Sequence, residues 1–97
     1  MFSHVVLFWM KDKRPEHFRE VAEKLMTLKA HVPSIVDMEV GIDEYRSERS
    51  ADICLIVRFT DAAGERAYQS HPYHQQILAY MRERIEKSMA ADFGALA

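Results

Sequence analysis

The chain has 97 residues, 48% of them hydrophobic and 29% charged, a balance typical of one globular domain and not of a disordered chain. Its 13 Lys and Arg against 15 Asp and Glu give a formal net charge of −2, which disfavours nucleic-acid binding because such proteins carry a basic excess. No apolar stretch approaches the roughly 20 residues that span a bilayer, and the first residues lack a signal-peptide pattern. We therefore expect a cytoplasmic protein, off the membrane, with a single domain over residues 1–97.

The first predicted element is a strand from Ser3 to Met10, rich in β-branched and aromatic residues and without a helical period. Alternation divides its side chains into two sets: Val5, Leu7 and Trp9 on one face, and His4, Val6, Phe8 and Met10 on the other. Both faces are apolar apart from His4. Because a strand that is apolar on both faces is covered on both, we expect it in the centre of a sheet.

A helix and two strands are predicted next. Pro15 suits the first turn of a helix, and apolar residues then recur at three- and four-residue steps until Pro33 ends the pattern. A second strand is predicted from about Ile35 to Tyr45, where apolar and acidic residues alternate. A third, Asp52 to Phe59, is again apolar on both faces and is interrupted only by Arg58.

Two helices and a last strand complete the predicted order. Asp61 can cap a short helix that runs to about Ser70, and Pro72 starts a longer helix whose apolar positions extend to Met89. The segment Ala90 to Phe93 is then the fourth strand. The order βαββααβ predicts an α+β fold in which a four-stranded, mostly antiparallel sheet carries its helices on one face.

The predicted helices cover only one face of this sheet. The first and third strands leave the other face apolar, and an exposed apolar patch of that size marks an interface. A second copy of the same sheet would cover it. The pattern therefore predicts a homodimer that is joined sheet to sheet.

Motifs that bind phosphate, dinucleotides or zinc are absent, since the sequence has no GxxxxGK(S/T), GxGxxG, HExxH or CxxC. The single cysteine, Cys54, lies in an apolar run and is interpreted as a buried thiol. His71 and His74 can lie on one helical face, but a protein zinc site needs three or four ligands and no further ligand is grouped with them. We therefore expect no bound metal and no organic cofactor.

Histidine and tyrosine remain as the candidate chemistry. His74 falls on the inward face of the last helix, where beside the Tyr68 hydroxyl it could act as a base while the phenol donates to a developing oxyanion. The same position also suits a buried histidine that bonds to a backbone carbonyl. His4 is either a pocket residue or a structural histidine on its strand. His71 is either a helix cap before Pro72 or a ligand-binding residue.

Six segments follow a known family pattern, and the most specific is Ala67-Tyr68-Gln69-Ser70-His71-Pro72-Tyr73-His74. The others, in chain order, are Ser3 to Phe8, Val32 to Ile35, Glu39 to Gly41, Ala51 to Ile53 leading to Phe59, and Asp92-Phe93. Together they span nearly the whole chain in the right order. In these segments the sequence resembles the stress-responsive A/B barrel domain (Dabb) family.

The resemblance implies a ferredoxin-like protomer that pairs into a dimeric α+β barrel. One plant branch of the family comprises polyketide cyclases, which close a linear polyketide by intramolecular aldol condensation without metal or cofactor. In that branch a histidine at the place of His74 is the base, a tyrosine at the place of Tyr68 assists, and a histidine matching His4 lines the site. A further pocket histidine of that branch corresponds to Ile53 here, a departure that bears on the cyclase activity.

Three functions stand as alternatives. The first is a cofactor-free cyclase, isomerase or lyase that acts on a small carbonyl compound through His74 and Tyr68. The second is a non-catalytic, stress-related dimer that binds a small apolar ligand. The third, by analogy of fold alone, is the monooxygenase chemistry of related dimeric barrels.

Overall fold

The computed structural model describes residues 1–97. Four strands form one sheet: β1 (Phe2–Met10), β2 (Asp37–Ile42), β3 (Ile53–Phe59) and β4 (Ile85–Gly94). The helices are α1 (Pro15–Met26), α2 (Leu28–His31), α3 (Ala62–Ser70) and α4 (Pro72–Arg82), and none is long and apolar enough to cross a bilayer. The strand order is β2-β3-β1-β4, and every neighbouring pair is antiparallel. This confirms the α+β, ferredoxin-like fold with its two predicted central strands.

The two faces of the sheet differ, as the sequence predicts. On the face that the helices cover, the side chains of the central strands are buried: His4, Val6, Phe8, Met10, Ile53, Leu55, Val57 and Phe59. The opposite face, here called the open face, is defined by Val5, Leu7, Ile56, Met89 and Phe93. Leu7, Met89 and Phe93 are 37%, 57% and 47% exposed. Cys54 also lies on the open face and is half-buried, so the expectation of a buried thiol is wrong for the single chain.

The predicted continuous helix from Pro15 to Pro33 is interrupted. At Thr27 the chain leaves α1 and starts the short helix α2. The Thr27 hydroxyl donates to the backbone carbonyl of Lys24 at 2.6 Å and lies 2.6 Å from the Tyr73 hydroxyl. A threonine that bonds to a nearby carbonyl competes with the regular helical ladder, so the helix breaks there although its apolar pattern continues.

The helix predicted from Pro72 to Met89 is too long. Helix α4 ends at Arg82, and β4 takes the segment that follows. Met89 keeps a helical spacing, yet it pairs with Leu7 of β1 in the sheet. Strand pairing satisfies the backbone N–H and C=O groups on the outer side of β1, a gain that periodicity within the segment does not register. The fourth strand is therefore ten residues long and not confined to Ala90 to Phe93.

Strand β2 is shorter at both ends than the predicted span Ile35 to Tyr45, because its pairing with β3 covers only Asp37 to Ile42. Asp52, at the end of the loop that follows β2, is buried. Its carboxylate accepts hydrogen bonds from the Met10 amide at 2.7 Å, from Lys13 Nζ at 2.8 Å and from Arg46 at 2.6 Å. These bonds tie the loop to the end of β1 and to the segment before α1.

Candidate functional site

A cavity of about 240 Å³ lies between the helix-covered face of the sheet and the helices. Strands β1, β3 and β4 supply one wall, and residues from all four helices supply the other. The lining is mainly apolar, and its polar members are His4, Tyr68, Gln69, His74, Arg82 and Ser88. A concave apolar cavity with a few converging polar groups is the usual form of a small-molecule site.

Three predicted site residues meet at one end of this cavity. Tyr68 of α3 and His74 of α4 have ring centroids 4.1 Å apart, with their planes inclined by 39°. His4 of β1 lies beside them, its ring centroid 5.7 Å from that of Tyr68. Phe59 packs on Tyr68 at 5.3 Å. The structure thus brings His4, Tyr68 and His74 together in a buried group.

His71, the fourth predicted site residue, does not line the cavity. Its Nδ1 accepts a hydrogen bond from the backbone N–H of Tyr73 at 3.0 Å, which satisfies one of the free N–H groups at the start of α4. The structure therefore supports the helix-cap interpretation of His71 over the ligand-binding one. As a cap, His71 sets where Pro72 begins the helix and so places His74 in its first turn.

The environment of His74 sets its protonation. Its Nδ1 lies 3.3 Å from the backbone carbonyl oxygen of Gln69, and because a carbonyl only accepts, Nδ1 carries the proton and Nε2 keeps its lone pair. Burial lowers the pKa of His74 below its ordinary value, and the bond to Gln69 opposes this shift only in part. His74 is therefore neutral at pH 7, with the unprotonated Nε2 that a general base requires.

Burial keeps the Tyr68 phenol protonated, just as it keeps His74 neutral. The residue is 1% exposed, and burial, with a smaller contribution from the charge of Glu65, raises the pKa of its phenol well above the ordinary value. The hydroxyl therefore keeps its proton. Since it forms no hydrogen bond with another side chain, it can donate to an oxygen that becomes negative in the cavity.

Asp92 contacts the site although the sequence analysis did not place it there. The β1–β4 register sets Asp92 opposite His4, and His4 Nδ1 hydrogen-bonds to its carboxylate. The bond holds the His4 ring in one orientation beside Tyr68. Antiparallel pairing of the first and last strands could have predicted this contact, but the predicted fourth strand was too short to establish its register.

Glu65 completes a group of three potential ligands with His4 and Asp92, whose donor atoms lie within 4.8 Å of one another. One imidazole and two carboxylates form a donor set that several divalent metals accept. Asp92 already engages Nδ1 of His4, and neither carboxylate lines the cavity. We therefore interpret these three residues as a histidine with two acidic side chains beside it.

Ile53 takes the position at which the resembled plant cyclases have a pocket histidine. It is buried but does not line the cavity, and β3 contributes Leu55 to the wall instead. At residue 53 this chain therefore has a buried apolar side chain outside the cavity that His74 and Tyr68 line.

The fold and the cavity together define a small ferredoxin-like α+β domain with a buried His–Tyr pair. A model of the stress-responsive A/B barrel domain (Dabb) matches residues 2–95. The chain belongs to this family. No curated protein sequence matches it significantly.

Solved structures share the fold over nearly the whole chain. A dimeric ferredoxin-like protein of unknown function from Thermobifida fusca is 26% identical, with 97% of this chain and 90% of that chain covered and a TM-score of 0.84. A Dabb family protein from Mesorhizobium loti is 18% identical, with coverages of 99% and 97% and a TM-score of 0.78. SnoaB, a cofactor-independent oxygenase from Streptomyces nogalater, is 18% identical, with coverages of 99% and 93% and a TM-score of 0.77. The last two likenesses show the fold alone.

Proposed function

We propose that the protein is a cofactor-independent acid–base enzyme that enolises a small carbonyl compound. His74 removes a proton from the carbon next to the carbonyl group, and Tyr68 donates a hydrogen bond to the enolate oxygen. The observation that carries the proposal is the packing of the two rings, with their centroids 4.1 Å apart, at the end of an apolar cavity. Burial keeps the base neutral and the donor protonated, so each is in the state that its step requires.

The proton and electron balance closes within this pair. The C–H proton moves to Nε2 of His74, and the electron pair of the broken bond shifts to the carbonyl oxygen, where Tyr68 stabilises the charge. The imidazolium then returns its proton to the product. Enolisation is the first step of aldol cyclisation and of carbonyl isomerisation, the reactions that the family resemblance and the residues suggest.

We also propose that two copies pair through their open faces. Leu7, Met89 and Phe93 present exposed apolar side chains there, and the similar Thermobifida fusca protein is described as dimeric. A stable pair should bury about 1,200 Å² or more in total. The cytoplasmic location stays a prediction from the sequence.

Non-catalytic binding of a small apolar ligand is the second candidate function, favoured by the mainly apolar lining of the same cavity. The two functions differ in one respect, because only the first breaks a C–H bond. The monooxygenase alternative is supported by likeness of fold alone, to SnoaB and to a protein described as an antibiotic biosynthesis monooxygenase.

Deuterium exchange into straight-chain methyl ketones, followed by proton NMR in D₂O, tests the enzymatic proposal. The protein should accelerate exchange next to the carbonyl, and His74→Gln should lower the rate by about 10²–10⁴-fold, the usual contribution of a positioned base. Tyr68→Phe should lower it by a smaller factor, and His31→Gln, which changes an exposed histidine outside the cavity, should leave it unchanged. Ketones that bind without exchange would support the binding function instead.

A further inference from the structure

One cation lies at the end of the cavity away from the His–Tyr pair. Arg82, the last residue of α4, lines the cavity there with Ser88 of β4. Its guanidinium forms no ion pair with a carboxylate of the chain, unlike those of Arg14, Arg46, Arg58 and Arg84. Arg19, Arg49 and Arg66 form no ion pair either, but none of these three lines the cavity. No Asp or Glu lines the cavity. An anionic group that enters at this end meets one positive charge and no negative one.

The separation between Arg82 and the reactive pair follows from two regular elements. His74 and Arg82 lie eight residues apart on α4, which corresponds to roughly 12 Å at the helical rise. On the opposite wall, Ser88 pairs with Phe8, and Phe8 lies four residues from His4 along β1, which corresponds to roughly 13 Å of strand. Both walls therefore give the same span.

The wall between these two ends is apolar. Helix α4 contributes Ile77, Leu78 and Met81 to it, and the sheet contributes Val6 and Ala90. A ligand that reaches both ends must have an uncharged middle section, because a polar group there would lose its hydrogen bonds to water without replacement.

We propose that the ligand of this site is an aliphatic carbonyl compound that carries a carboxylate about 12 Å from its carbonyl group. Arg82 binds the carboxylate, and the ketone oxygen lies at Tyr68 and His74. A guanidinium suits this role because its planar fork of N–H donors matches the two oxygens of a carboxylate, and the Ser88 hydroxyl can donate a further bond. The inference rests on the proposed function and deepens it by naming the substrate class.

A competing explanation is that Arg82 contributes only its aliphatic stem. An arginine stem can cover a hydrophobic opening while its charged group stays in water. Arg82→Met separates the two explanations, since it keeps an unbranched apolar side chain and removes the charge. Arg66→Met is the matched control, because Arg66 is an exposed arginine of α3 that does not line the cavity.

Calorimetric titration with 9-oxodecanoate and with its uncharged methyl ester tests the proposal at pH 7.5 and low ionic strength. The unmodified protein should bind the acid about tenfold more tightly than the ester, the size expected of charge-assisted hydrogen bonds to side chains that, like Arg82 and Ser88, are exposed in the free protein. Arg82→Met should bind both compounds with the affinity of the ester, and Arg66→Met should keep the tenfold preference. Added salt should weaken binding of the acid alone.

Equal affinities of the unmodified protein for acid and ester would overturn the inference, and so would a preference that survives in Arg82→Met. Either result would leave the cavity as a binding site for carbonyl compounds. Binding of neither compound would overturn both the inference and the proposed function. Selective binding of the acid without deuterium exchange would contradict enolisation alone and would retain the assignment of Arg82.

Discussion

His4 and Asp92 are 88 residues apart in the sequence, and the imidazole of one hydrogen-bonds to the carboxylate of the other across β1 and β4. The His4 side chain is 10% exposed and that of Asp92 is 45% exposed. Asp92, at the solvent-exposed edge of the sheet, thus orients the buried His4 ring, whose centroid lies 5.7 Å from that of Tyr68.

Asp92→Ala should free the His4 ring, because no other acceptor then fixes its Nδ1. Asp92→Asn should keep the ring in place, since the amide oxygen still accepts a hydrogen bond. Nitrogen-15 NMR of the imidazole should show Nδ1 protonated in the parent protein and in the Asn variant, and a mixture of tautomers in the Ala variant. Each variant should lose about 1 kcal/mol of stability or less, because the carboxylate is partly exposed. An unchanged His4 spectrum in the Ala variant would contradict this role for Asp92.

Lowering the pH should reduce the unfolding free energy of the protein through protonation of His74. Burial lowers the pKa of His74 in the folded state below the value of about 6.5 that it has when unfolded. The unfolded chain therefore takes up the proton first, so the stability that His74 contributes is complete above about pH 6.5 and is lost as the pH falls through the folded-state pKa. Urea unfolding of the parent protein and of His74→Gln at a series of pH values measures the effect. If the unfolding free energies of the two proteins changed with pH in parallel, the pKa of His74 would not be lowered by folding.

The pairing of open faces predicts a specific loss of assembly. Leu7→Asp places a charge in the centre of the open face, opposite Met89 and Cys54 on the neighbouring strands, where a partner sheet would have to bury it without compensation. Light scattering should give about 23 kDa for the parent protein, twice the chain mass of 11.3 kDa, and one chain mass for the variant. Met26→Asp, at a residue of α1 that is 52% exposed, is the control and should stay dimeric. A Leu7→Asp protein at twice the chain mass would exclude this interface.

Asp52 should matter for stability and not for the cavity. Hydrogen bonds from Lys13, the Met10 amide and Arg46 outweigh the opposing effect of burial and lower the pKa of Asp52. Asp52→Ala leaves these donors without their acceptor and should cost about 2 kcal/mol of unfolding free energy, within the range for hydrogen bonds to charged groups. Asp37→Ala, at an exposed carboxylate that pairs with Arg58, should cost about 0.5 kcal/mol. Thermal and urea unfolding compare the two, and equal losses would contradict a special role for Asp52.

Much of the site could be predicted from short-range patterns. Alternation along β1 identified His4 as the polar exception on the helix-covered face, and helical spacing put His74 on the inward side of α4. For His71 the residues around Pro72 left two alternatives, a helix cap or a ligand-binding residue, and only the structure favoured the cap. Alternation and helical spacing depend on neighbours within a few positions, where backbone geometry dictates which side chains share a face. They do not reveal whether two such faces enclose a cavity.

The sequence by itself determined the order of the strands, the two apolar faces of the central strands and the choice of His74 and Tyr68 as candidate site residues. Only the tertiary structure decided that α4 stops at Arg82, that β4 runs for ten residues along β1, and hence that Asp92 meets His4 and that Arg82 and Ser88 line the same cavity. The reason is energetic. The segment from Ile85 has a helical pattern of apolar residues, but a strand there satisfies the outer backbone groups of β1. That partner lies about 80 residues earlier in the chain, beyond the range of any local periodicity.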